Sequence, residues 1–309
     1  MKNHLYLLFF FPYFLNACIA QKPVLAERLG HPKVAKLLII HADDLGVAHS
    51  VNSATIAAFD KGMVNSGSIM VPCPWFPEIA AYSKANPTVD LGLHLTLTAE
   101  WKMYKWEPVM PVAAVPNLVN EQGFLYDNCA DVVRKVSAET IEKELKAQIE
   151  RALAFGVNVS HLDSHMGCLF NPKYFETYLK VSREYGLPVL IPASGLQQFP
   201  AMAEKILPTD IVIDNIFMLN PPDAAKGAAN FYENMLRSLP EGVSEMIIHV
   251  AYDDAEMQAV TIDHPDFGAA WRQKDFDFFT SEACRKILKE EGIQLVTWRE
   301  LGGLIKKNK

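Results

Sequence analysis

Strand-like and helix-like patterns alternate along nearly the whole chain, and that alternation leaves it few folds to adopt. Candidate strands are 36–42, 68–71, 89–97, 159–164, 188–191, 210–213, 246–251 and 293–298. Helical patterns lie between them. In 140–155, Ile141, Leu145, Ile149 and Leu153 recur every fourth residue, and Gly156 is placed to stop the helix. Further helices are expected at 52–61, 172–185 and 281–291, the second opening on Pro172, where a helix tolerates proline. Such an order predicts a parallel sheet under helices, and about eight units suit a barrel better than an open sheet. The expected architecture is a single α/β domain, a TIM-barrel-like (β/α) barrel over residues 31–305, after a signal segment at 1–20. With 50% apolar residues in 309, the chain can bury a large core.

The first twenty residues read as an export signal. Lys2 precedes an apolar stretch, Leu5 to Leu15, too short to span a bilayer and placed where a signal's hydrophobic region belongs. It ends in Leu15-Asn16-Ala17-Cys18, similar to a bacterial lipoprotein signal with Cys18 as the lipidated residue; a cut after Ala20 is the alternative. Either reading exports the protein, to the periplasm or to a membrane as a lipoprotein tethered only through Cys18. A net charge of −7 without a Lys/Arg stripe argues against nucleic acid as a partner, and a homodimer is left open. None of the five cysteines forms a CxxC; Cys73, Cys129, Cys168 and Cys284 could pair in an exported chain. Cys168 reads as a small buried thiol rather than a nucleophile, since no dedicated base stands near it in sequence.

Three strand ends concentrate chemistry. Asp43-Asp44 closes the apolar run 37–44, His94 sits in Leu91–Leu97, and His161, Asp163 and His165 alternate in 160–165. In a strand, alternate residues share a face. Leu91, Leu93, Leu95 and Leu97 therefore suit covering helices, and His94 points to the interior. His161, Asp163 and His165 likewise share one face, and His249 adds an imidazole from 246–251. Any one of these histidines alone fits a hydrogen-bonded core residue. Together with two carboxylates they fit a divalent cation, which removes the cost of burying bare charge. Of two adjacent carboxylates, one can hold the ion while the other takes a proton from water. His161 and Asp163 could instead orient His165 from behind. The irregular stretch 100–131 follows the His94 strand, and Trp101, Tyr104 and Trp106 in it are candidate substrate contacts or pins for the loop. No GxSxG, P-loop, GxGxxG or HExxH pattern occurs.

Leu38–Gly46 (LIIHADDLG), Gly92–Leu97 (GLHLTL) and His161–His165 (HLDSH) resemble, in order, the ADDFG, GLHLTLT and THLDSH motifs of the ChbG/YdjC (HpnK-like) carbohydrate deacetylases. Val115–Leu118 with Gly123-Phe124 resembles the stretch between them. The resemblance implies a TIM-barrel-like fold and metal-dependent removal of an N-acetyl group from an amino sugar or oligosaccharide. It implies Asp43 as general base, Asp44, His94 and His165 as ligands of one ion, Mg or Zn, and His249 as general acid or acetate contact. Met166-Gly-Cys-Leu169 replaces the histidines that often follow the third motif, and the 101–106 insertion is distinctive, so the sugar itself stays open. Two alternatives are a metal amidase or esterase for a non-sugar substrate, and a silent glycan-binding lipoprotein.

Overall fold

The computed structural model describes residues 23–307; the signal segment and Cys18 lie outside the described residues. Seven strands form one sheet: β1 (Lys36–Leu45), β2 (Ser66–Ile69), β3 (Leu91–Leu95), β4 (Leu162–Ser164), β5 (Asn215–Met218), β6 (Gly242–Ile248) and β7 (Gln294–Leu295). Their order is β4-β3-β2-β1-β6-β5, with β7 paired to the start of β1, and every pairing is parallel. Helices separate the strands, as parallel connections require.

Two of the eight expected strands are not strands. Residues 188–191 and 210–213 contribute only isolated bridges, Leu162 to Val189 and Pro192 to Ile213. Pro188 and Pro192 flank the first segment and remove ladder donors from it. The result is a curled, TIM-barrel-like parallel sheet with an irregular seam between β4 and β5, rather than eight regular staves.

The helices follow their local signals. The helix Ala138–Ala154 is capped by Ser137, whose side chain accepts from Thr140 N–H, and buries Ile141, Leu145 and Ile149. Pro172–Tyr185 begins after Asn171, which accepts from Lys173 N–H, and ends at Gly186 in the left-handed region. Leu91, Leu93 and Leu95 pack in the same layer as these helices, so His94 between them faces inward. A separate apolar cluster, including Leu37, Ile39, Ile213, Val243 and Trp298, fills the lower interior of the curled sheet. Gly92 shows how tightly that interior is packed: a Cβ there would lie 2.5 Å from the His161 ring.

Cys129 and Cys168 are joined in a disulfide, correcting the expectation of a free buried thiol at 168, whereas Cys73 and Cys284 are free and buried. The bridge ties the helix Cys129–Lys135 to the turn Met166–Phe170 directly after His165. Closing a loop of 39 residues restricts the unfolded chain. Replacing both half-cystines by serine is expected to cost about 4 kcal/mol of unfolding free energy. Denaturant titration of the double variant checks this, and an unchanged midpoint would refute it.

Candidate active site

Asp43 and Asp44 end β1, and their backbone explains how both reach the interior. Strict alternation would turn Asp44 outward. Instead Asp44 has φ +62°, and the β1–β2 register shifts between Ala42 and Leu45. Aspartate is among the few side chains that tolerate the left-handed region, and a local bulge re-aims a carboxylate where a flat strand could not. Such strain is held only where the surroundings over-determine it.

Three atoms then converge. Asp44 Oδ1 lies 3.5 Å from His94 Nε2 and 3.3 Å from His165 Nδ1, yet makes no hydrogen bond although buried. Each imidazole is oriented from behind by a carboxylate. His94 Nδ1 stands 2.7 Å from Asp163 Oδ1, and His165 Nε2 stands 2.9 Å from Glu100 Oε2. A carboxylate only accepts, so those nitrogens carry protons, and in the neutral imidazoles that a metal ion requires His94 Nε2 and His165 Nδ1 would present lone pairs beside Asp44. Ligand bonds of about 2.1 Å at tetrahedral angles would separate donor atoms by roughly 3.4 Å. The residues therefore fit a divalent ion held by Asp44, His94 and His165. An overlapping group, Asp43, Asp44 and His249, also offers three donor atoms. It lacks imidazoles braced by carboxylates, so the first set is the better holder.

The charge balance points the same way. Asp43, Asp44, Glu100 and Asp163 crowd the site, and Arg272 is the guanidinium among them. Burial would raise Asp44, but Arg272, His165 and His94 outweigh it and hold the carboxyl well below its usual range. Burial, and then the negative charge of Asp44, push Asp43 well above the usual range. At His165, burial opposes protonation, but Glu100 and Asp44 prevail and push it up to about 10. These surroundings favour a cation. His249 differs: burial and then Arg272 bring it down to about 3, so it rests neutral, with Nε2 3.4 Å from Asp43 Oδ1.

The other expected residues divide. Asp163 braces His94 rather than His165, and its second oxygen accepts from Ser68 Oγ at 2.7 Å. His161 touches neither ligand histidine. It lies deeper, stacked on Trp298 at 4.9 Å with Nδ1 2.8 Å from Ser160 Oγ, because it precedes β4 and stands four residues before His165, well below the strand ends. Trp101 lines the cleft, whereas Tyr104 and Trp106 fasten the loop through hydrogen bonds to the Val47 and Thr98 carbonyls. Arg272 and Glu100 were missed. Glu100 follows β3 closely enough for its position to suggest it, but Arg272 carries no such signal. Its Nη2 donates to Asp44 Oδ2 at 2.7 Å, and its guanidinium lies 5.6 Å from the Trp101 ring centroid.

The bracing by Asp163 is testable. Asp163→Asn keeps the shape but offers His94 a weaker and ambiguous partner, so divalent-metal affinity is expected to fall about 10–100-fold. Calorimetric metal titration measures it, and an unchanged affinity would show that His94 needs no brace.

The chain matches known proteins over most of its length. The model of the YdjC-like protein family matches residues 37–290. A carbohydrate deacetylase from Thermus thermophilus is 32% identical over 285 residues, covering 89% of this chain and 97% of that one. A chitooligosaccharide deacetylase from Serratia marcescens is 26% identical, covering 86% and 99%. A crystal structure from Enterococcus faecalis, described as that of a cellobiose-phosphate cleavage protein, superposes with a TM-score of 0.72 at 25% identity, covering 86% and 99%. The braced Asp44–His94–His165 cluster thus stands in a chain that belongs to the YdjC-like protein family.

Proposed function

We propose that the protein is an exported, metal-dependent hydrolase that removes an N-acyl group, acetyl in the simplest case, from an amino sugar or oligosaccharide. One observation carries the reading: buried Asp44 Oδ1, without a hydrogen bond, lies 3.5 Å from His94 Nε2 and 3.3 Å from His165 Nδ1, each on an imidazole braced from behind by a carboxylate. The names of the Thermus and Serratia relatives support a sugar amide as substrate. The disulfide supports export, since such bonds persist in oxidising compartments. Cys18 would anchor the chain if lipidated, which mass spectrometry of the membrane fraction distinguishes from cleavage after Ala20.

Asp44, His94 and His165 would hold a magnesium or zinc ion, which when bound would supply Lewis acidity to the amide and make water easier to deprotonate. Asp43, beside this set but outside it, accepts the proton as water oxygen attacks the carbonyl carbon. The C–N bond then breaks, and the amine takes up a proton from Asp43, with neutral His249 3.4 Å from it to share the transfer. Products are the free carboxylic acid and the amino sugar. Trp101, 3% exposed on the cleft lining, would border the sugar with the edge of its ring that remains accessible. Acetate release from a panel of N-acetylated sugars tests this. Release should stop with chelator and return with Mg²⁺ or Zn²⁺; no release from any sugar, or release indifferent to chelator, would overturn it.

A further inference from the structure

The cleft above the cluster has a volume of about 670 Å³ and two chemically different sides. Every acid and imidazole named so far lies toward β1, β3, β4 and the end of β6. The wall along the seam is apolar: Phe170, Leu190, Ile216, Met218 and Ile247 contribute no side-chain donor or acceptor. Strand geometry sets its depth. Ile247 shares a face with His249 but sits two residues deeper, about 7 Å along the strand. It pairs with Met218, and Glu245 pairs with Ile216, so β5 continues the wall downward beside it. Leu190 is buried and belongs to the apolar cluster of the lower interior, and Glu245, buried beside Ile216, is not among the residues that line the cleft. Asp266 and His264 stand elsewhere on the lining, with Trp101, and offer the polar groups that the seam wall lacks.

We propose that this wall is an acyl-chain subsite, and that the substrate is an amino sugar N-acylated by a chain longer than acetyl. The proposal rests on the amide-hydrolase reading above. Sugar hydroxyls placed against Phe170, Leu190, Ile216 and Ile247 would lose water without gaining a partner, which disfavours that placement. The sugar therefore belongs toward Trp101, His264 and Asp266. The acyl carbon, attached on the other side of the amide, then points to the seam. An acetyl methyl covers little of that wall, whereas a chain of four to six carbons covers Ile247 and Ile216 in turn. Met218, at the level of Ile247, is 43% exposed, so the slot is open on that side.

The test compares N-acetyl-, N-butyryl- and N-hexanoylglucosamine in two measurements. The first is calorimetric binding to metal-loaded Asp43→Asn, and the second is kcat/KM of the wild type. Each fully buried methylene contributes about 0.8 kcal/mol, roughly fourfold in affinity, so four half-covered ones predict at least about a tenfold preference for hexanoyl over acetyl. Ile216→Phe and Met218→Trp, each checked for folding by circular dichroism, should bring that ratio close to one. Equal binding of acetyl and hexanoyl would overturn the subsite. So would an unchanged ratio in both folded variants, or a gain from an octyl glycoside of N-acetylglucosamine with none from acyl length. Absence of all turnover would instead sink the hydrolase reading, while the binding ratio still decides the wall.

Discussion

Asp43→Asn is expected to lower kcat for deacylation by about 10²–10⁴-fold, the range associated with a positioned general base. Bound metal should be retained. The side chain keeps its shape but can no longer accept a proton from water. Because Asp43 lies outside the Asp44–His94–His165 set, its loss removes a step rather than the site. Stability offers a second readout. Burial and the charge of Asp44 both disfavour an ionised Asp43, so a neutral amide relieves repulsion and Tm should hold or rise. Metal analysis beside kinetics separates the two ligand groupings, since an ion held by Asp43, Asp44 and His249 would be lost with the substitution. Turnover equal to wild type would remove Asp43 from the chemistry altogether.

What could be read in advance follows the range of each interaction. Period two was legible because it is local: Leu91, Leu93 and Leu95 pack with the helices and His94 faces in. The cap and stop residues of Ala138–Ala154 and Pro172–Tyr185 are local too, and both helices fall within two residues of expectation. The seam was misread because 188–191 and 210–213 are apolar enough for strands, while the missing ladder donors of Pro188 and Pro192 leave bridges. Asp44 needed more than periodicity, since its direction comes from a left-handed backbone that no pattern of apolar residues encodes. His161 shares the face of His165 yet not its depth, so sharing a face did not make it a partner. Arg272 was invisible for the opposite reason. It lies in the first turns of Ala269–Phe279, 228 residues from Asp44, and only the folded chain makes them neighbours.

Arg272→Met should destabilise the metal-free protein by about 3–5 kcal/mol, as expected when one partner of a buried ion pair is removed and the other stays charged. Arg272 Nη2 is 2.7 Å from Asp44 Oδ2, and both side chains are buried. With Arg272 present, Asp44 sits well below its usual range, so its contribution is in place above the unfolded carboxyl pKa and is lost as pH falls through the folded one. Without the guanidinium, only His165 and His94 oppose burial, so Asp44 is held down less and its contribution to the fold shrinks. The stability gap between wild type and variant should therefore hold above the unfolded carboxyl's pKa of about 3.9 and shrink only as pH falls below it toward the folded range, read as Tm by calorimetry in chelator. Saturating Mg²⁺ or Zn²⁺ should close part of that gap at pH 7, because an ion on Asp44 supplies the positive charge that methionine lacks. A gap independent of pH and of metal would mean that Arg272 acts through packing against Trp101, and that Asp44 does not depend on it for charge.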